Sequence, residues 1–251
     1  MLSDRYKDEI RKAQFDFSGK YKYIALFTNP AFFVRKNLYY GIKSFAPAMK
    51  GKVLDFGCGA KPYQQLFNRC TKYIGCDVEI SGHDHSNEVI DKYYDGKHLP
   101  FENEYFDSVF SSEVFEHVEN LEEIMLELNR VVKKGGYMLV TVPFIWKEHE
   151  VPYDYRRFTS FGIKKFLTDY GFEIIECKKL TSSFEAISQL RISYIREIVN
   201  DITKNRTVRI ICQRIIITPM IIMSIILGTL FPQKDNLYID NIVLCRKISD
   251  K

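Results

Sequence analysis

Val53-Leu54-Asp55-Phe56-Gly57-Cys58-Gly59 opens the stretch that decides the fold, and Tyr73-Ile74-Gly75-Cys76-Asp77 closes it. A short apolar run carrying one acid reads as a buried strand, and the glycines after it read as a tight turn. Ala60–Lys72 is long enough for a crossover helix starting at Pro62. A second apolar strand then ends on an acid. Strand, glycine turn, crossover and acid-tipped strand make half of a nucleotide-binding α/β unit. Glycine lets a backbone turn sharply and approach a ligand where a Cβ would fill the space. A carboxylate at Asp77 can accept hydrogen bonds from both hydroxyls of a ribose, and would repel a phosphorylated one. Ala60-Lys61-Pro62 stands where a dinucleotide fingerprint has its third glycine, so a dinucleotide is a poor fit.

Working outward, Met1–Lys20 reads as a charged helix and loop, and Met1–Arg11 is too polar for a secretory leader. Pro30 opens a helix through Phe33, Leu38, Ile42 and Phe45 that Pro47 ends. Residues 1–48 are thus a helical cover for the sheet edge or a lid on the ligand. Beyond Asp77, His83-Asp84-His85 lies in a polar loop without a completing ligand set, and no metal is expected. Asn87–Tyr94 is weakly strand-like, and Asp107–Ser111 is a fourth strand. Asn120 and Glu123 suggest a capping box ahead of a helix with Leu121, Ile124, Met125, Leu128 and Val131 on one face. Gly135-Gly136 closes that helix, and Tyr137–Val142 is a fifth strand. Ser160 caps another helix that stops at Gly171, and Phe172–Cys177 is a sixth strand. This alternation predicts a parallel α/β sheet covered on both faces.

The ordered set of motifs resembles the class I S-adenosylmethionine-dependent methyltransferases, in particular the methyltransferase type 11-like family. The residues carrying the resemblance are the Asp55–Gly59 turn, Asp77, Asp95-Gly96 before Leu99-Pro100-Phe101, Phe106-Asp107, Glu113-Val114-Phe115-Glu116-His117-Val118 and Gly135-Gly136. It spans about Val53 to Phe172. The resemblance implies a Rossmann-like seven-stranded sheet of order 3-2-1-4-5-7-6 with an antiparallel last strand, placed near Tyr238–Arg246. The domain would then comprise residues 49–181 and 237–251, with 182–236 inserted between strands six and seven. It also implies S-adenosyl-L-methionine as cofactor, cradled by Asp55, Gly57, Cys58 and Gly59 at its amino-acid end. Asp77 would meet the ribose and Asp95 the adenine, with Ser111 and Ser112 lining the pocket. Asp55 could equally be a structural acceptor tying the glycine loop.

Glu113 and His117 fall, by the same resemblance, where acceptor and cofactor meet, His117 being either a base or a structural hydrogen-bonder. His149-Glu150-Val151-Pro152-Tyr153-Asp154-Tyr155-Arg156-Arg157-Phe158-Thr159 resembles a subgroup associated with surface-polysaccharide or lipid-linked sugar pathways. A sugar hydroxyl is a weak nucleophile and gains from a general base. His149 is the candidate base and Asp154 its orienting partner, with Tyr153 and Arg157 on the acceptor. Arg157 can hold a carboxylate or phosphate in a bidentate contact. The alternative makes Asp154–Arg157 a loop-locking ion pair with His149 as its neighbour. The leading acceptor is a glycan or lipid-linked sugar precursor methylated on oxygen. A lipid or isoprenoid small molecule is the nearest alternative, and a cofactor-binding, non-catalytic membrane-associated subunit is the other.

The insert supports the lipid alternative. Ser182–Arg214 is helical and basic, and Ile215–Phe231 follows with no charge, interrupted by Pro219 and Gly228. If both flanking strands belong to one sheet, a single crossing would strand the last one across the bilayer. The run therefore lies at an anionic membrane surface, bends back on itself, or packs in the core or in a homodimer. A net charge of +4 permits anionic surfaces without demanding nucleic acid. The basic residues cluster beside the apolar run, not among stacking aromatics, so no nucleic-acid partner is expected. Thr141-Val142-Pro143-Phe144 also departs from the Pro-Pro-Tyr/Phe pattern of ring-amino methylation. Six scattered cysteines without a CxxC pair predict reduced thiols in a cytoplasmic protein, which the insert would place on the membrane's cytoplasmic face.

Overall fold

A computed structural model of the chain describes residues 4–79 and 89–251. Three helices come first: α1 (Asp4–Lys12), α2 (Tyr21–Thr28) and α3 (Phe32–Phe45). The sheet follows with β1 (Gly51–Phe56), β2 (Cys70–Val78), β3 (Lys92–Tyr94) and β4 (Phe106–Ser112). Helix α4 (Leu121–Val131), β5 (Val132–Pro143), α5 (Ser160–Asp169) and β6 (Phe172–Ser182) continue the alternation. Helices α6 (Ser183–Ile202), α7 (Arg206–Cys212) and α8 (Thr218–Leu230) then lead to β7 (Tyr238–Lys247).

The sheet has seven strands in the order β3-β2-β1-β4-β5-β7-β6, and β7 runs antiparallel to β5. The expected sheet order and the helical insert between β6 and β7 are therefore present. Reversal of strand order on either side of β1 and β4 opens a crevice at the strands' C-terminal ends, where α/β sheets of this kind bind ligands. The central strands are apolar because helices cover them. Leu54, Phe56, Val109, Met138, Val140 and Val142 are buried with Leu121, Ile124, Met125 and Leu128 of α4. Lys247 is buried at the end of β7, where its Nζ donates to the carbonyls of Asn129 (2.8 Å) and Val132 (3.0 Å). A cation there meets the negative end of the α4 dipole.

Several local expectations are corrected. The β1–β2 connection contains only one short 3-10 turn, Gln64–Leu66, in place of a crossover helix. Lys61 adopts φ +50° and Pro62 follows without a backbone N–H, while Tyr63 and Phe67 turn inward. The backbone there has neither the dihedrals nor the donors of a helix start. Asn120 is the N-cap of α4, but its side chain makes no cap bond. Its amide donates instead to the Gly96 carbonyl (3.1 Å) and to Glu123 Oε2 (2.9 Å). Helix α4 ends at Val131, before Gly135-Gly136. The register of β4 on β5 jumps from Phe106–Val132 to Ser108–Tyr137, so the glycines shape an irregularity at the start of β5. At α5 the cap is Thr159, whose hydroxyl accepts from Gly162 N, and Ser160 is the first helical residue. The apolar run does not fold back at Pro219, which sits in the first turn of α8 where no N–H is needed. Helix is continuous over Thr207–Leu230.

The chain divides into two compact units. One comprises Gly41–Lys179 and Asp240–Lys251; the other comprises Met1–Tyr40 and Leu180–Ile239. Within the second, α3 is tied to α6 by Lys36–Glu185 (2.5 Å), Asn37–Glu185 (2.6 Å) and the Gln189 side chain. Gln189 accepts from Phe33 N and donates to the Pro30 carbonyl. The His83-Asp84-His85 stretch lies outside the described residues.

Candidate active site

The half of the site predicted to hold the cofactor is the turn after β1. Gly57 has φ +70°, and the backbone N–H groups of Gly57 and Cys58 donate to the Cys76 carbonyl (2.9 and 3.3 Å). The turn is thereby fastened to the end of β2. Gly59 N donates to Asp77 Oδ2 (2.8 Å), so the acid that tips β2 sits against the glycine turn. A Cβ on Gly57 would come within 2.4 Å of Val114, which follows β4. Gly75 carries a similar constraint: a Cβ there would meet Lys61 at 2.2 Å and Cys58 at 2.6 Å. Nothing in the sequence singles Gly75 out, because it reads as one residue of an apolar strand.

Asp55 lies beneath the turn. It is buried, and Tyr73 donates its hydroxyl to Asp55 Oδ2 (2.7 Å). Burial pushes its carboxyl up to about 7, against the opposing pull of Tyr73 and with help from the nearby Asp77 charge. The structure thus gives Asp55 a structural partner as well as a place below the loop. Asp95 is exposed and organises its own turn, with Oδ1 accepting from Lys97 N (2.8 Å) and His98 N (2.7 Å). These backbone bonds bring its carboxyl down to about 2. Ser111 is buried, and Ser112 Oγ contacts Thr141 Oγ1 (2.8 Å).

The other half is built where the segment after β4 meets the loop after β5. Glu113 has φ +57°, and its N–H donates to the Thr141 carbonyl (3.0 Å). A 3-10 turn at Phe115–His117 buries Glu116 completely. The 144–159 loop folds over this turn. Tyr155 N donates to the Glu116 carbonyl (2.8 Å), and Arg156 donates to the carbonyls of Val118 and Glu119. Arg157 grips Asp154 with two parallel bonds (2.5 and 2.7 Å), which hold that carboxyl well below its ordinary range. Asp154 Oδ2 also accepts from His149 N (3.0 Å) and faces His149 Nδ1 (3.2 Å). His117 Nδ1 lies 2.7 Å from the Tyr153 carbonyl, and the two Nε2 atoms of His117 and His149 are 3.2 Å apart. Burial, and then the His117 neighbour, lower the pKa of His149, which favours its neutral form.

His117, His149, Tyr153, Asp154 and Arg157 are therefore brought together, Tyr153 through its carbonyl. Asp154 carries both the ion pair to Arg157 and the contact to His149. Sequence alone does not single out Glu116 or Glu150, whose Oε2 lies 3.6 Å from His117 Nε2. The apolar neighbours Phe115 and Val118 are the one local hint that Glu116 is inside. Its carboxyl is pushed well up by burial and by the Glu113 charge.

A 3-2-1-4-5-7-6 sheet with a glycine turn after β1 and an acid at the tip of β2 defines the class I S-adenosylmethionine-dependent methyltransferase fold. Comparison with known proteins agrees. Residues 54–140, about a third of the chain, match the family described as "Methyltransferase domain". Sterol 24-C-methyltransferase erg6 of Schizosaccharomyces pombe is 32% identical over 101 residues, 34% of this chain and 26% of the relative. The mitochondrial ubiquinone biosynthesis O-methyltransferase of Mus musculus is 33% identical over 125 residues, 43% of this chain and 34% of the relative. The alignments span about a third or less of these curated relatives. Among solved structures, the [4+2]-cyclase SpnF superposes with a TM-score of 0.54 at 17% identity, over 85% of this chain and 80% of that one. Haemonchus contortus phosphoethanolamine N-methyltransferase 2, solved with S-adenosyl-L-methionine, gives 0.52 at 20% identity, over 99% of this chain and 61% of that one.

Proposed function

We propose that the protein transfers the methyl group of S-adenosylmethionine to an oxygen of a small-molecule acceptor of lipid or isoprenoid type. The observation that carries methyl transfer is the joined turn in which Gly59 N holds Asp77, within a segment of the methyltransferase-domain family. The cofactor's sulfonium makes its methyl group electrophilic, so the protein's work is to bind, align and shield. His149, held by Asp154 and kept neutral, offers Nε2 to a hydroxyl proton. The acceptor class draws on two relatives whose names specify a sterol and ubiquinone biosynthesis. A glycan or lipid-linked sugar precursor is the second reading, favoured by the resemblance of residues 149–159. One similar structure is a cyclase by name, so fold alone does not supply the reaction.

The test is calorimetric titration with S-adenosylmethionine and S-adenosylhomocysteine. It is followed by methyl incorporation into extracted lipids, isoprenoid quinols and nucleotide sugars, with and without detergent. Failure to bind both cofactor forms would overturn methyl transfer, and binding without incorporation into any acceptor would leave the cofactor-binding, non-catalytic subunit as the reading. Binding with incorporation only into sugars would overturn the acceptor class.

The insert fits the same proposal as a membrane-surface element. Thr207–Leu230 is 24 residues long and apolar enough to cross a membrane, and only 22% of its most apolar window is buried. A single crossing is incompatible with β6 and β7 lying in one sheet. Ile211, Ile215, Met223, Ile226 and Leu230 are exposed, and Arg209 and Arg214 lie on the same helical run, a pattern suited to anionic headgroups. Flotation with anionic but not neutral vesicles is expected. A dimer in solution that ignores vesicles would assign the helix to a second copy instead.

A further inference from the structure

The two imidazoles of the loop site are held in an arrangement that a pair of neutral histidines does not satisfy. A carbonyl only accepts, so His117 Nδ1, 2.7 Å from the Tyr153 oxygen, carries a hydrogen. Asp154 is locked as a carboxylate by Arg157, so His149 Nδ1 carries one as well. Each neutral ring then presents a bare lone pair at Nε2, and these two nitrogens face each other at 3.2 Å. Lone pairs at that separation repel unless something positive lies between them. Below them Glu116 is fully buried, and neither of its carboxyl oxygens has a hydrogen-bond partner among the described residues. Its Oε1 lies 3.7 Å from His117 Nε2. A proton shared by the two rings would answer both lone pairs but leave the Glu116 oxygens without a bond.

We propose that Glu116, His117 and His149 form a binding site for one divalent transition-metal ion, zinc by its donor set, with Glu150 beside it. The ligand atoms of the three residues all lie within 4.8 Å of one another. Metal–nitrogen bonds of about 2.0–2.1 Å make the observed Nε2 separation subtend about 100° at the ion, close to tetrahedral. Two imidazoles and one carboxylate with an open fourth position are the donor set of catalytic zinc sites. Both rings are also anchored through Nδ1, one by a carbonyl and one by a carboxylate, which is how metal-bound histidines are oriented. The ion would bond directly to a buried Glu116 carboxyl that Arg157 reaches only at a distance and that has no hydrogen-bond partner among the described residues.

This inference rests on the methyl-transfer reading and changes the role of His149 from base to ligand. An acceptor hydroxyl bound at the open position loses its proton to Glu150 or to water. The resulting oxyanion attacks the methyl carbon, the C–O bond forms, and the C–S bond breaks with its electron pair on sulfur. S-adenosylhomocysteine leaves, and charge and atoms balance.

The experiment uses the full chain freed of metal with a chelator, titrated calorimetrically with zinc chloride. Cobalt substitution reports coordination through its visible spectrum. One ion per chain is expected. Asp154→Asn, which keeps the ligands but loosens His149, should weaken zinc binding about tenfold to a hundredfold, and His117→Ala or His149→Gln by more. Glu116→Gln, nearly isosteric, guards against a variant that fails to fold, and thermal melting verifies each. S-adenosylmethionine affinity is measured in parallel and should be unchanged in His149→Gln. No zinc or cobalt binding by the wild type, or undiminished binding by the folded ligand variants, overturns the site while leaving methyl transfer standing. Zinc binding without S-adenosylmethionine binding would keep the site and overturn the methyl-transfer reading.

Discussion

Asp55→Asn should change how stability depends on pH, and the size of the change follows from its burial. The native carboxyl titrates at about 7 because burial disfavours its charge, against 3.8 for an unhindered aspartate. Between those values the unfolded chain has released the proton while the folded chain still holds it. Stability that is fully present below pH 3.8 is therefore lost as pH rises to 7, and constant above that. At 1.36 kcal/mol per unit the difference amounts to about 4 kcal/mol, of which about 3 kcal/mol falls between pH 5 and 8. The asparagine cannot ionise, and its carbonyl can still accept from Tyr73. Any cost of its buried NH2 is independent of pH. The assay is urea unfolding of both proteins at pH 5, 6, 7 and 8, followed by fluorescence of Trp146, the single tryptophan, which lies in the same compact unit. Other groups titrate alike in both proteins, so the difference in unfolding free energy isolates Asp55. It should shift in favour of the variant by about 3 kcal/mol, or about 1.5 M in urea midpoint for a slope near 2 kcal/mol/M. Parallel curves would refute the reasoning and show Asp55 ionised throughout.

Gly57→Ala places a β-carbon 2.4 Å from Val114 at a left-handed backbone position that costs about 1–2 kcal/mol. S-adenosylmethionine affinity by calorimetry should fall at least about tenfold, and Val114→Ala in the same chain should recover part of it. Asp154→Asn releases both Arg157 and His149, so turnover should drop about a hundredfold with S-adenosylmethionine affinity unchanged. Lys247→Met leaves the Asn129 and Val132 carbonyls buried without their donor. Stability should fall by about 2–3 kcal/mol, seen as a melting temperature lower by about 5–10 °C.

The glycine turn and its partner acid were legible because their pattern is local. A strand, a glycine turn and an acid 18 residues after Gly59 are features of one short segment, and the Gly59–Asp77 bond realises them directly. The strand order became readable only through the resemblance, since no local pattern says that β7 enters between β5 and β6. The missing crossover helix shows where length misleads. Lys61 at positive φ and Pro62 set the local backbone before any helical periodicity can act. The acceptor half was harder for a different reason. His117 and His149 are 32 positions apart and meet because the 144–159 loop is pinned back by Tyr155 N on Glu116, Arg156 on Val118 and Glu119, and Asn241 on Phe158. Those contacts depend on tertiary placement, and the sequence names the residues without saying that their Nε2 atoms converge.

The two halves share one physical device. Asp55 sits under the glycine turn and Glu116 under the histidine pair, both fully or nearly fully buried and both held toward the neutral form by desolvation. A buried acid lowers the stability of the ligand-free fold at neutral pH, and a cation bound beside it would offset that cost. S-adenosylmethionine brings a sulfonium and an ammonium; a divalent ion brings two charges. The cofactor's cations would draw Asp55 into the ionised form, so cofactor binding should release a proton near pH 6 and tighten as pH rises toward 8. Titrations in buffers of different ionisation enthalpy measure that proton directly. Its absence on cofactor binding, with affinity flat from pH 6 to 8, would show that the acid beneath the glycine turn serves the fold alone.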